Sequence, residues 1–269
     1  MHGRVLIIAG SDSGGGAGIQ ADIKTVTALG AFAATAITAL TAQNTLGVHG
    51  VLPVLPDFIR QQIAVVMDDI GADVIKIGML GDIATIETVC DALAVHAPGV
   101  PVVLDPVMVA KGGHHLLAPD AVDSLRRRLL PMAVVITPNL PEAEALTGLS
   151  IKTEADMSVA ATALLALGVP SVLLKGGHLP SDRLVDLLAT ADGIEAFVAP
   201  RIKTRHIHGT GCTTASAVAA GLAQGMSLLD AVRRARAYVR AAITAAPGLG
   251  QGHGPLDHAV TVDLNRLDA

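Results

Sequence analysis

Five short, largely apolar runs most constrain how this chain folds: Val5–Ala9, Val74–Ile77, Val100–Leu104, Ala133–Thr137 and Pro170–Leu174. A strand with one wet face alternates apolar and polar residues. Runs of this length without that alternation read instead as strands covered on both faces. Helical patterns lie between them, through Ile19, Ile23, Val26 and Leu29, from Asp57 as a cap to about Asp69, and through Ile86, Val89 and Leu93. Strands that alternate with helices build a mostly parallel, doubly wound sheet in a three-layer α/β/α arrangement. Thr35–Leu40 reads as a further strand. Leu184–Leu188 and Ile194–Val198 read as a hairpin around Ala191-Asp192-Gly193. With no linker or shift in composition, residues 1–269 are expected to form one domain.

Composition narrows the function classes. The chain is 51% hydrophobic but only 1% aromatic, so Ala, Val, Leu and Ile must fill the core. A net charge of −5, with no basic run and no aromatic stacking platform, argues against nucleic-acid binding. Cys90 and Cys212 do not make a disulfide framework, and Cys90 reads as a small core residue. The uncharged stretch from Thr25 to Pro56 is interrupted by Gly30, Gln43, Asn44 and Pro53, which does not suit a membrane span. The expectation is a soluble cytoplasmic protein.

Chemistry gathers where strands end. His208-Gly209-Thr210-Gly211-Cys212-Thr213-Thr214-Ala215 is a glycine turn running into a helix from about Cys212 to Gln224, followed by another from Leu228 to Ala245. A helix start offers unpaired N–H groups and a positive dipole end, which suit a phosphate or a developing negative charge. A thiol there, as at Cys212, is expected to have a lowered pKa. A tight turn before a buried Ala-rich helix is the plainer reading of Gly-Thr-Gly alone. The first strand also runs into a glycine loop, Gly10 to Gly18, which matches neither the dinucleotide fingerprint nor a P-loop. His114 and His115 sit in a loop, Lys111–Leu117, with no carboxylate to complete a zinc set. Gln43, Met79, Asp105 and Lys175, with Asn139 and Glu142 before a helix from about Pro141, fall on the edge where doubly wound sheets bind ligands. Gln43 carries both donors and an acceptor suited to a heterocycle edge. Asp105 and Glu142 suit Mg²⁺, which keeps waters and is completed by substrate phosphates, although each also reads as a helix-capping carboxylate. Lys175 suits a transferring phosphoryl group.

The segments Ile8–Asp12, Gly18–Asp22, Thr38–Thr45, Lys76–Leu80, Leu104–Met108, Thr137–Ala143, Lys175–His178 and His208–Thr213 together resemble the hydroxymethylpyrimidine/phosphomethylpyrimidine kinases of thiamine biosynthesis, within the ribokinase-like superfamily. The resemblance implies MgATP-dependent phosphorylation of 4-amino-5-hydroxymethyl-2-methylpyrimidine, then of its monophosphate, and a homodimer. It implies that Gln43 hydrogen-bonds the pyrimidine, that Met79 and Val107 pack on its ring, and that Gly10 and Asp22 line the pocket. Asn139 and Glu142 match an Asn-x-x-Glu motif that positions magnesium and phosphates, and Lys175 contacts ATP. Gly209, Thr210 and Gly211 form the anion-holding turn. Cys212 stands where most of the superfamily has an aspartate base. The first loop reads Ser11-Asp12-Ser13-Gly14-Gly15 where many relatives have Asp-Pro-Ser-Gly-Gly. Pyridoxal kinase is the alternative enzyme, since it shares the fold and the Gly-Thr-Gly-Cys turn. A non-catalytic ligand-binding protein is the alternative outside enzymes, and intact Asp105, Glu142, Lys175 and Cys212 argue against it.

Overall fold

The computed structural model describes residues 1–109, 113–114, 116–263 and 265. The loop expected at Lys111–Leu117 therefore lies partly outside the described residues, with His115 among those not covered. The described residues form one nine-stranded sheet in the order β3-β2-β1-β4-β5-β6-β7-β8-β9. The strands are β1 (Arg4–Asp12), β2 (Phe32–Asn44), β3 (Gly47–Pro53), β4 (Val74–Ile77), β5 (Val102–Leu104), β6 (Ala133–Ile136), β7 (Ser171–Lys175), β8 (Arg183–Thr190) and β9 (Gly193–Pro200). From β2 across to β7 neighbours run parallel, and β3, β8 and β9 are antiparallel additions at the two edges. The helices are α1 (Gly18–Ala28), α2 (Pro56–Asp69), α3 (Ile83–His96), α4 (Val122–Ser124), α5 (Leu140–Thr147), α6 (Glu154–Leu165), α7 (Thr210–Ala223) and α8 (Leu228–Thr244).

Strand periodicity explains the three layers. Successive side chains leave a strand on opposite faces. In β1, Val5, Ile7 and Ala9 pack against Ile19 and Val26 of α1 and Ala217 and Val218 of α7. Leu6 and Ile8 join Ile59 and Ile63 of α2 and Ile86 and Val89 of α3 on the other side. Both faces are dry, as the largely apolar runs require. α7 is Ala-rich because it is buried between the sheet and α8, where Gly221 sits against Ala231. Cys90 is buried in the α2–α6 layer, as its segment suggested.

Two local expectations change. Asp57 does not cap α2: Leu55 holds the N-cap position, Pro56 fills the first turn, and Asp57 lies within that turn with no capping hydrogen bond. β2 continues through the polar Thr41–Asn44 cluster and returns as the exposed strand β3. Strand order reverses direction at the β1/β4 junction, which opens a crevice above the C-terminal ends of the parallel strands.

Candidate functional site

That crevice holds a cavity of about 780 Å³. Each parallel strand brings a polar residue to it or under its floor: Asp12 from β1, Gln43 from β2, Lys76 buried in the floor from β4, Asp105 just beyond β5, Asn139 beyond β6 and Lys175 from β7. The first turn of α7 closes it from above.

Gly209 is the N-cap of α7, with φ of 85°, a left-handed conformation that favours glycine. A Cβ there would collide with the Gly16 carbonyl, so the turn and the first glycine loop interlock. The first carbonyl-paired amide of the helix ladder is that of Thr213, to Gly209 O at 2.9 Å. The amides of Gly211 and Cys212 have no carbonyl partner among the described residues. They form an anion-binding helix start. A Cβ at Gly211 would lie 3.3 Å from Lys175 Nζ and 3.5 Å from Asp105 Oδ2. The turn therefore rests directly on the Lys175–Asp105 pair.

Lys175 Nζ donates to Asp105 Oδ1 at 3.0 Å, and the Thr137 hydroxyl donates to the same oxygen at 3.1 Å. Burial acts to lower the Lys175 pKa, but Asp105 and Glu142 overcome it and the net shift is upward, so the cavity keeps a cation. Glu142 and Asn139 form a reciprocal capping box on α5: Glu142 accepts from the Asn139 amide at 2.8 Å, and Asn139 Oδ1 accepts from the Glu142 amide at 3.0 Å. Burial pushes the Glu142 carboxyl up to about 7, against Lys175, with Asp105 adding to the rise.

A second Lys–Asp pair lies beneath. Lys76 Nζ donates to Asp22 Oδ2 at 2.8 Å with both side chains fully buried, and the Ser216 hydroxyl donates to Asp22 Oδ1 at 2.7 Å. Beside it, burial pushes the Cys212 thiol up to about 12; Lys76 opposes this, and the Asp22 and Asp105 carboxylates reinforce it. The expectation of a lowered thiol pKa fails here. A helix start helps a thiolate, but an enclosed site with two nearby carboxylates outweighs it.

At the β1–β2 end, Asp12 is buried and accepts from the amides of Gly14, Gly16 and Ala17 at 2.8, 3.1 and 2.8 Å. Its Oδ2 lies 2.8 Å from His208 Nε2. Burial acts to raise the Asp12 pKa, but His208 and the amides overcome it and hold the carboxylate below its usual range.

The comparisons fit this geometry. A family described as phosphomethylpyrimidine kinase matches residues 12–257. The chain belongs to this family. The kinase is 52% identical to a hydroxymethylpyrimidine/phosphomethylpyrimidine kinase of Streptomyces coelicolor, over 94% of this chain and 93% of that protein. It is 51% identical to a bifunctional thiamine biosynthesis protein of Geobacter sulfurreducens over 97% of its own length, but spans 53% of that protein. An ADP complex of Bacillus subtilis pyridoxal kinase superposes with a TM-score of 0.90 at 40% identity, covering 98% of this chain and 100% of that one.

Of the residues singled out in the sequence, Gly10, Gln43, Met79, Val107, Asp105, Asn139, Glu142, Lys175 and Gly209 to Cys212 all line the kinase cavity. Met79 Sδ occupies the space that a Cβ at Gly10 would need. Asp22 is the exception. It lies under the floor, sealed by Lys76 and Ser216, and does not line the cavity. Several polar lining residues went unassigned in the sequence, Lys76, Asp12 and His208 among them. A lysine inside an otherwise apolar strand was the available signal for the first. Nothing local pairs Asp12 with His208, which are 196 residues apart. The Ser13 hydroxyl donates to Gln43 O and accepts from Gln43 N, both at 2.9 Å.

Asp105 and Glu142 each already hold protein hydrogen bonds, and among the described residues no three His, Cys, Asp or Glu side chains cluster as a metal cage. This donor set fits a Mg²⁺ that arrives with nucleotide phosphates and keeps its waters, held by one or two carboxylates. No helix among the described residues is long and apolar enough to cross a membrane.

Proposed function

We propose that the chain is a single ribokinase-like domain that transfers phosphate from MgATP to the hydroxymethyl arm of 4-amino-5-hydroxymethyl-2-methylpyrimidine, and then to the resulting monophosphate. The observation that carries the reading is the shared cavity. A heterocycle-reading amide at Gln43, the open amides of α7 and the Lys175 cation all face one space. The 52% identity to a kinase of that name over nearly the whole chain supports the substrate.

In this reading Gln43 holds the pyrimidine edge, while Met79 and Val107 pack on its ring. Lys175 and the Gly209–Cys212 turn neutralise charge on the transferring phosphoryl group. Asp105 and Glu142 would hold Mg²⁺, directly or through water, and the ion would supply charge neutralisation at the nucleotide phosphates. Glu142 would be ionised in that state. Asn139 orders that carboxylate through the capping box. Phosphoryl transfer passes through a loose transition state, so the alcohol proton leaves late and a preformed base is not needed. Cys212, neutral with its S–H in place, orients the attacking alcohol by a hydrogen bond; as the new O–P bond forms and the bond from that phosphorus to the ADP oxygen breaks, the alcohol's proton passes to an oxygen of the transferred phosphoryl group. The protein works in the cytoplasm as a homodimer.

Pyridoxal phosphorylation is the second reading, supported by the pyridoxal kinase likeness in fold. The ratio of kcat/KM for the aminopyrimidine and for pyridoxal separates them. The aminopyrimidine should be preferred by at least tenfold, and faster turnover of pyridoxal would overturn the assignment.

A further inference from the structure

The strongest unassigned feature is the Asp12–His208 pair, because of what stands next to it. His208 Nε2 is 2.8 Å from Asp12 Oδ2 and also 3.3 Å from the Gln43 side-chain amide nitrogen. The Gln43 carbonyl oxygen lies 3.1 Å from the Thr41 hydroxyl, which is itself 2.9 Å from Ser11 O. These contacts fix the protons. Asp12 accepts three backbone N–H groups and is an acceptor only, so the His208 nitrogen facing it carries the hydrogen. A protonated ring nitrogen has no lone pair left for an amide donor. The single Thr41 proton is likewise taken by the Ser11 carbonyl, so the Thr41 oxygen is free to accept.

Both constraints select the same state of Gln43, reached by a half-turn of its amide: the oxygen faces His208 and the NH₂ faces Thr41. We infer that Asp12 and His208 are positioning residues that set the direction of the Gln43 amide, so that it reads an amino group beside a ring nitrogen in one orientation only. This rests on the aminopyrimidine reading above. The acceptor then lies on the His208 side and one free N–H on the Thr41 side. A ligand pairs its exocyclic amine with the first and its ring nitrogen with the second. In the proposed substrate the hydroxymethyl arm is on the ring carbon next to the amine-bearing carbon, on the side away from that nitrogen. The amide direction therefore turns the arm toward His208 and, along the chain, toward the Gly209–Cys212 turn. The reverse direction matches only a flipped ring, with its arm pointing away from α7.

The test uses titration calorimetry on the full-length protein with two probes, the aminopyrimidine alcohol and the same molecule with hydrogen in place of the amine. Wild type should bind the amine-bearing probe about tenfold or more tighter. His208→Leu should bring the two affinities within about threefold while ATP affinity stays within twofold. His208→Gln, which keeps an N–H at similar reach toward Asp12, should restore most of the discrimination. The backbone bond from His208 N to Gly254 O, 3.1 Å, does not depend on the side chain, which favours folding of both variants. Full discrimination in His208→Leu overturns the inference. If Gln43→Ala abolishes discrimination in that case, the Gln43 reading survives and only the role of His208 falls. If wild type binds neither probe, the proposed function falls as well.

Discussion

The protein holds two Lys–Asp pairs on neighbouring parts of one sheet, with nearly the same length and opposite access. Lys76–Asp22, at 2.8 Å, has both side chains at 0% exposure. Lys175–Asp105, at 3.0 Å, leaves the lysine 16% exposed to the cavity. A sealed pair cannot meet a ligand's charge. Its desolvation cost is offset only while every partner stays in place, so its work is to tie β4, α1 and α7 together. The open pair sits under the amides of Gly211 and Cys212, where a lysine can turn from its aspartate to a phosphate. Identical chemistry thus divides into holding and acting by burial alone.

Removing the sealed cation should have the largest effect on stability. Lys76→Met leaves the Asp22 carboxyl buried and unpaired, and urea unfolding should show a loss of about 3–5 kcal/mol. Lys76→Met with Asp22→Leu should recover much of that loss. A single variant as stable as wild type would remove the distinction between the pairs.

Cys212 lies between the two pairs and sharpens the comparison. Cys212→Ala should lower kcat by about 10²-fold and leave the Kd for the aminopyrimidine within twofold. The pH dependence of kcat should show no thiol ionisation between pH 6 and 9, because burial holds this group at about 12. Unchanged turnover would take Cys212 out of the reaction.

Glu142 gives the smallest effect and marks the open side. Its carboxyl moves from 4.5 to about 7 on folding, so the folded state binds the extra proton between those values. Stability from this group is therefore greatest below pH 4.5 and is lost as pH rises through 7. His258 works the other way: burial lowers it from 6.5 to about 4, so its contribution grows as pH rises through that window. Glu142→Gln keeps an N3 side chain able to cap α5 but removes the falling component. Between pH 4.5 and 7.5 the variant should gain on the order of 2 kcal/mol on wild type in urea melts. Parallel curves would show that Glu142 is not raised.

The fold was legible where burial leaves a simple mark. All six strands that pair parallel were visible in the sequence, five of them as largely apolar runs, because both faces are covered. β3 was not, since nearly all of it is exposed and it carries Gly47, Gly50 and Pro53. α6 also escaped notice, although Thr153 and Asp156 form a capping box at its start, because half of its apolar residues are alanine and give little periodic contrast. In the site, motif residues at strand ends were readable because the doubly wound topology collects strand ends in one place. Asp22 misled because a carboxylate near a ligand loop looks the same in sequence whether it faces the cavity or lies one layer below. The thiol of Cys212 misled for a related reason. Its helix start is local and visible, whereas the enclosure and carboxylates that raise it come from α1, β4 and β5.

The most direct test of the division between the pairs is Lys175→Met, with kcat/KM for MgATP-dependent phosphorylation and the urea midpoint measured on the same preparation. The account predicts a fall in kcat/KM of about 10²–10³-fold with a midpoint close to wild type. A variant that turns over normally but unfolds early would contradict it, by making the open pair a structural tie like the sealed one.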